Sequence, residues 1–257
     1  GPPRAGAGTF AAADIRVQPR AGSAVPAGYL IGPSGSASAE GLTETDVRRI
    51  VDQAVAKALL TRAQIRLPLT QPARMVIAVS DQAGELLAAF RMDDSTVFSF
   101  DVALSKARNA YYFSSREGYE VVRQYVVSNP YDSYVWEPEP TAGQGWAITN
   151  RTLGYGGQPL FPPGIDLDKP PTPGPWFDLF LYDGANPCTE GPGPNRGGNR
   201  QYLNQSGIVW FPGSVPLYRG DRVIGGLGVS GDGVEQDDYV ALLGSDGFHP
   251  PDALRVD

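Results

Sequence analysis

The chain has 257 residues, 41% of them hydrophobic, with 28 acidic against 21 basic side chains and a formal net charge of -7. That is enough apolar material for a packed core, and the acidic balance, with no basic stretch to neutralise phosphates, excludes a nucleic-acid partner. No run approaches the ~18 consecutive apolar residues of a membrane-spanning helix, so no membrane span is expected.

Cys188 is the single cysteine and His249 the single histidine. An internal disulfide and any multi-cysteine or histidine-rich metal centre are thereby excluded. A histidine-dependent nucleophilic triad would have to draw its base from His249. The opening Gly1-Pro2-Pro3-Arg4 carries no apolar signal region, so an export signal is expected to be already removed or never present. With 24 prolines and 32 glycines the chain is loop-rich, which points to an extracellular or periplasmic setting.

Residues 1–41 read as a flexible leader of Ala, Gly, Pro and Ser, with a possible short strand at Asp14–Val17 and a linker at Ile31–Ser38. Thr43 with Asp46 three residues on makes a short capping box. Val47, Ile50, Val51, Ala54, Val55, Ala58 and Leu59 then mark one face of a helix ending near Arg62. Met75–Ser80 is a buried strand, Asp81-Gln82-Ala83-Gly84 a turn, and Glu85–Met92 the returning strand. A second helix follows from Ser99 to Phe113, with Val102, Ala103, Lys106, Ala107 and Ala110 along one side.

From about 115 to 205 proline and glycine recur every few residues among Tyr131, Tyr134, Trp136, Trp146, Tyr155, Trp176, Phe177 and Phe180. Such a stretch reads as an extended insertion that packs its aromatics on the domain or on a neighbouring subunit. Val215–Ser230 is a hairpin turned at Gly220-Asp221, a glycine-first pair suited to a type II′ turn. Its second strand is rich in glycine, so a ligand or a helix is expected close against it. A helix follows through Tyr239–Leu243 to a stop at Gly244, and 249–257 is a tail.

Val79–Gly84, Phe90–Asp93 and Ala103–Ala110, followed by Phe211–Leu217, Gly225–Gly231 and Asp237 with Ala241, resemble the GlcG/HbpS-like family of heme-binding-protein-like domains. The resemblance covers about 42–114 and 206–247. It implies an α/β fold, a profilin-like sandwich with a central antiparallel sheet flanked by helices. The domain would run from 42 to 248 and carry the insertion. The resemblance also implies an oligomer-forming, ligand-binding domain, with heme or a related tetrapyrrole as the implied cofactor. Where members hold iron through histidine, this chain offers only His249.

Arg91, Asp93, Lys106, Ser230 and Asp237 are the polar residues on this pattern that form a candidate ligand-binding pocket. Each has a plainer reading. Arg91 and Asp93 suit a carboxylate or propionate, or pair with each other and with Lys106. Lys106, on an alanine-lined face, suits a salt bridge to Asp93 or Asp237, or a reactive amine. Ser230 and Asp232 suit an anion or a helix cap, and Asp237 complements a helix dipole. Asp81 reads as a turn residue and Cys188 as an inert thiol. Arg219-Gly220-Asp221 is explained by the hairpin, and Asp166, Asp168, Asp178 and Asp183 lack the spacing of a calcium loop. Two readings lead: a domain binding heme or another small molecule, working as a homo-oligomer, and a structural subunit whose leader and insertion build an assembly without catalysis. Catalysis ranks last, for want of a nucleophile–base pair.

Overall fold

The structure is a computed structural model and describes residues 26–123, 145–160, 173–185 and 207–256. In chain order the elements are β1 (Gly28–Ile31), α1 (Glu44–Leu60), β2 (Val76–Asp81), β3 (Leu86–Arg91), α2 (Ser99–Ser114), α3 (Arg116–Val122), α4 (Asn150–Gly156), α5 (Phe177–Ala185), β4 (Ser214–Arg219), β5 (Arg222–Ser230) and α6 (Val234–Gly244). A short 3-10 turn at Asp252–Leu254 follows. The strands form one antiparallel sheet in the order β1-β3-β2-β5-β4.

The capping box starts α1 as its sequence requires: the Asp46 amide donates to Thr43 Oγ1 at 3.1 Å and the Thr43 amide to Asp46 Oδ2 at 2.9 Å. Its apolar face, with Val47, Ile50, Val51, Ala54 and Ala58 buried, packs with α6 on one side of the sheet. Ile77, Val79, Leu227 and Val229 meet that layer, while Val76, Ala78 and Ala89 turn to α2 on the other. Strand side chains alternate faces, so β2 serves two cores and is buried throughout. This is the α/β sandwich that the resemblance implies.

The glycines of β5 explain how α2 comes so close. A Cβ on Gly226 would strike the Ala107 carbonyl, and one on Gly228 the Ala103 carbonyl. What lies against the glycine-rich strand is a helix, and that helix is α2, from earlier in the chain. Gly220 has φ +63° while Asp221 does not enter positive φ, as a type II′ turn demands.

Three expectations are corrected. The stretch read as a leader to residue 41 joins the sheet at β1, where Tyr29 pairs with Phe90. Beyond it the Ser34 amide donates to the Leu87 carbonyl at 2.9 Å and Ser36 Oγ to Asp81 Oδ2 at 2.9 Å, so Ile31–Ser38 is a docked segment. The possible strand at Asp14–Val17 lies outside the described residues.

Second, the described parts of the 115–205 stretch are largely helical. Trp146, Ile148, Leu153, Trp176 and Leu179 form an aromatic core with Tyr112 and Phe113 at the end of α2 and Tyr119 of α3. Trp146 and Trp176 thus pack on the domain itself, while Tyr155 and Phe180 remain partly exposed; Tyr131, Tyr134, Trp136 and Cys188 lie outside the described residues. Third, the tail is docked. Leu254 is buried, its carbonyl accepts the Ala147 amide at 2.8 Å, and Arg255 bridges to Ala147.

Candidate functional site

Lys106 belongs to the α2 face that lies on β5, so its side chain runs into the interior and is fully buried. Its ammonium donates to Asp237 Oδ2 and to the Val229 carbonyl, both at 2.9 Å, and sits 4.8 Å from the centre of the Phe211 ring. Three donors thus meet a carboxylate, a carbonyl and an aromatic face. Asp237 comes from the first turn of α6. Gly213 closes the site: at φ +124°, a Cβ there would lie 2.5 Å from Lys106 Nζ and 2.6 Å from the Val229 oxygen. Its amide donates to Asp238 Oδ1 at 3.2 Å.

Burial acts on both partners. It lowers the Lys106 ammonium below the usual lysine range, against the pull of Asp237. It pushes the Asp237 carboxyl up to about 6, against the opposing pull of Lys106. Asp237 Oδ1 is buried with no hydrogen-bond partner. The result is an enclosed ion pair, shut from solvent by Phe211 and Gly213.

The five candidate residues do not make one open pocket. Lys106 and Asp237 meet directly. Ser230 and Arg91 are the cross-strand partners of Val76 on its two neighbouring strands, so the three form one row across β5, β2 and β3 on one face. Arg91 donates to the Pro26 carbonyl at 3.1 Å. Asp93 approaches Arg74 at 3.6 Å, and pairs with neither Arg91 nor Lys106. Nor do Ser230 and Asp232 cap α6, whose N-cap is Gly233 without a side-chain bond. Asp232 instead accepts from Arg66 Nε and from the Arg74 amide, the latter at 2.7 Å, and so pins the 62–74 loop. Asp81 accepts the Ala83 and Glu85 amides, as a turn residue does, and Asp183 accepts Trp210 Nε1 at 3.0 Å.

A buried polar network escaped the sequence reading. Asn109 Oδ1 accepts Asn150 Nδ2 at 3.0 Å and the Val209 amide at 2.8 Å, and Ser214 Oγ donates to Asn150 Oδ1 at 2.5 Å. It fastens α4 and the 207–214 segment to α2. Asn109, a polar residue besides Lys106 among the alanines of α2, was the signal for it.

The described surface opens at a different place. Ala147, Thr149, Val215, Pro216, Leu242, Pro250 and Arg255 line a small, mostly apolar cleft with His249, holding a cavity of about 30 Å³. The His249 side chain is 40% exposed; its Nδ1 lies 3.5 Å from Ser245 Oγ and its Nε2 3.9 Å from Asp246 Oδ1. The imidazole is therefore lightly held and reachable.

No curated protein matches the chain. Among the solved structures similar to it are the following two. One, described as a PduOC:heme complex, is 18% identical, with 79% of this chain and 92% of the other covered and a TM-score of 0.41. The other, the Klebsiella pneumoniae protein ORFY, is 19% identical, with 82% and 92% covered and a TM-score of 0.41. The family model described as "haem degrading protein HbpS-like" matches residues 42–162 and 180–246. That range takes in Lys106, Phe211, Gly213 and Asp237, and much of the stretch first read as an insertion. On that match, which spans most of its length, this chain belongs to the HbpS-like family.

Proposed function

We propose that the chain is a heme-related ligand-binding domain that works as an oligomer, with His249 as the iron ligand. The observation that carries the heme-related reading is the family match over 42–162 and 180–246; His249 lies just beyond it, and its assignment rests on the cleft. The fit with this chain's residues supports the position. Imidazole is an ordinary axial ligand for heme iron, and His249 supplies the chain's single one beside Leu242, Val215, Pro216 and Pro250. A cavity of about 30 Å³ does not enclose a macrocycle, so the cleft would offer such a group the His249 imidazole and an apolar edge and not an enclosing pocket. Ser245 Oγ, 3.5 Å from Nδ1, would help orient the ring, and Nε2 would be the nitrogen to hold iron. The enclosed Lys106–Asp237 pair offers no such opening and serves the fold.

A heme titration followed by absorbance, on wild type and on His249→Ala, tests this. The expected result is a saturable Soret shift in wild type, lost or strongly weakened in the variant. A wild-type spectrum without a stoichiometric shift defeats the heme reading, and an unchanged shift in the variant defeats the ligand assignment. A second reading, a structural subunit without catalysis, is favoured by the large apolar side chains that the described surface leaves exposed around 60–69 and 97–98.

A further inference from the structure

The cleft beside His249 combines a small volume, apolar walls and a fixed positive charge. Pro216, Leu242 and Pro250 are among its walls, and Arg255 lines it together with His249. The Ala147 amide donates to the Leu254 carbonyl at 2.8 Å, and Ala147 and Arg255 form a backbone bridge. Backbone thus docks the C-terminal segment and sets the exposed Arg255 at the cleft. A cavity of about 30 Å³ has room for about two or three waters, at ~10–15 Å³ each. That is the room of a carboxylate on a short chain.

We propose that the cleft takes a carboxylate on a short aliphatic arm, with Arg255 on the carboxylate and the arm along Pro216, Leu242 and Pro250. Among the described residues that line the cleft, Arg255 is the one with a permanent positive charge. The planar fork of a guanidinium matches a carboxylate, and its five donors can serve one besides contacts within the chain. The apolar walls suit the methylenes behind the acid. A dianion such as phosphate is a poorer match. One arginine would face two charges, Asp246 Oδ1 lies 3.9 Å from His249 Nε2, and the chain as a whole carries -7. The propionate arm of a heme-type ring and a free short-chain acid present the same chemistry. The first source rests on the heme-related reading above; the second does not. In either case Arg255 sets the preference for an acid over its neutral analogue.

The test uses the full chain with butyrate and its neutral amide by equilibrium dialysis, and with metal-free protoporphyrin and its dimethyl ester by absorbance. Wild type should take up at least one of the two acids saturably. The neutral counterpart should bind at least about 10-fold more weakly, the low end for losing a charge-assisted hydrogen bond. In Arg255→Gln that preference should vanish while Tm holds. Arg255→Lys, with the charge but not the fork, should keep part of it. The acid-against-neutral comparison needs no variant, so it decides even where a variant fails to fold. Preference for the porphyrin acid alone makes a propionate arm the occupant, and preference for butyrate alone makes it a free acid. Saturable uptake of neither acid, or a preference that survives Arg255→Gln in a folded protein, overturns the proposal. Inorganic phosphate competing as well as butyrate overturns the choice of a carboxylate. A wild-type Soret shift with heme but no acid preference refutes this inference and leaves the heme-related reading standing. Acid preference with butyrate in a protein that takes up no heme does the reverse.

Discussion

Replacing Lys106 by Met tests whether the enclosed pair is an ion pair at all. Methionine fills much of the space of the lysine stem, so the perturbation is chiefly loss of charge and of two hydrogen bonds. What remains is the Asp237 carboxylate, whose side chain is 3% exposed and whose Oδ1 already lacks a partner, together with the deserted Val229 carbonyl. Leaving one member of a buried pair uncompensated costs about 3–5 kcal/mol, and that is the loss expected in urea unfolding at pH 7.5. The loss should shrink on acidification. An Asp237 carboxyl raised in the folded state takes up its proton before the unfolded one does. Stability of the variant therefore rises as pH falls through the folded value, by at most about 1.4 kcal/mol per pH unit. The double variant Lys106→Met with Asp237→Leu removes both charges and should recover most of the loss, since apolar replacements of buried pairs are often neutral or better. A single variant within about 1 kcal/mol of wild type at pH 7.5, well below the usual cost of breaking a buried pair, would show that Asp237 is not a desolvated carboxylate facing an ammonium.

Two further outcomes follow from the same geometry. In wild type, burial holds the Asp237 carboxyl up at about 6. The folded state thus binds more protons than the unfolded between the unfolded value and about pH 6, and ionisation there costs stability. Relative to the double variant, wild type should gain stability as pH is lowered through 6, read as a shift in the urea midpoint; a difference flat with pH would refute it. Gly228→Ala would drive a methyl into the Ala103 carbonyl, a backbone atom that cannot swing aside, and should cost about 3 kcal/mol, the upper end for overpacking. Gly184→Ala, which meets nothing within 4 Å on α5, is the control and should be neutral or stabilising by up to ~1 kcal/mol. Equal unfolding midpoints for the two would contradict close packing of α2 on β5.

The elements that could be read from sequence are those whose determinants lie within a few residues. The Thr43–Asp46 box, the 3.6-residue period of α1, the Gly220-Asp221 turn and the β2–β3 hairpin all carry their instructions locally, and each is found where expected. The misreadings share the opposite property. Gly28–Ile31 has no period strong enough to announce a strand; it becomes one because β3 offers an open edge 58 to 63 residues later in the chain. The helices of the 115–205 stretch are held by tertiary contacts, such as Gly156 against the Trp176 ring, which no local propensity records.

The candidate site shows the same division. Lys106 stood out because a lysine on an alanine face needs a partner, and Asp237 was among those weighed for it. The family pattern that singled out Arg91, Asp93, Lys106, Ser230 and Asp237 reports residues on which the fold depends as readily as residues that touch a ligand. In this chain Lys106 and Asp237 are sealed in, Arg91 reaches the Pro26 carbonyl and Asp93 approaches Arg74, and Ser230 is buried at a strand end. Exposed chemistry lies with His249, whose neighbours Ala147, Val215, Leu242 and Arg255 come from four separate parts of the chain. A cleft assembled from such distant pieces leaves no motif in the sequence. Its histidine reads as a tail residue until the docking of Leu254 and the Ala147–Arg255 bridge bring the tail back against β4 and α6.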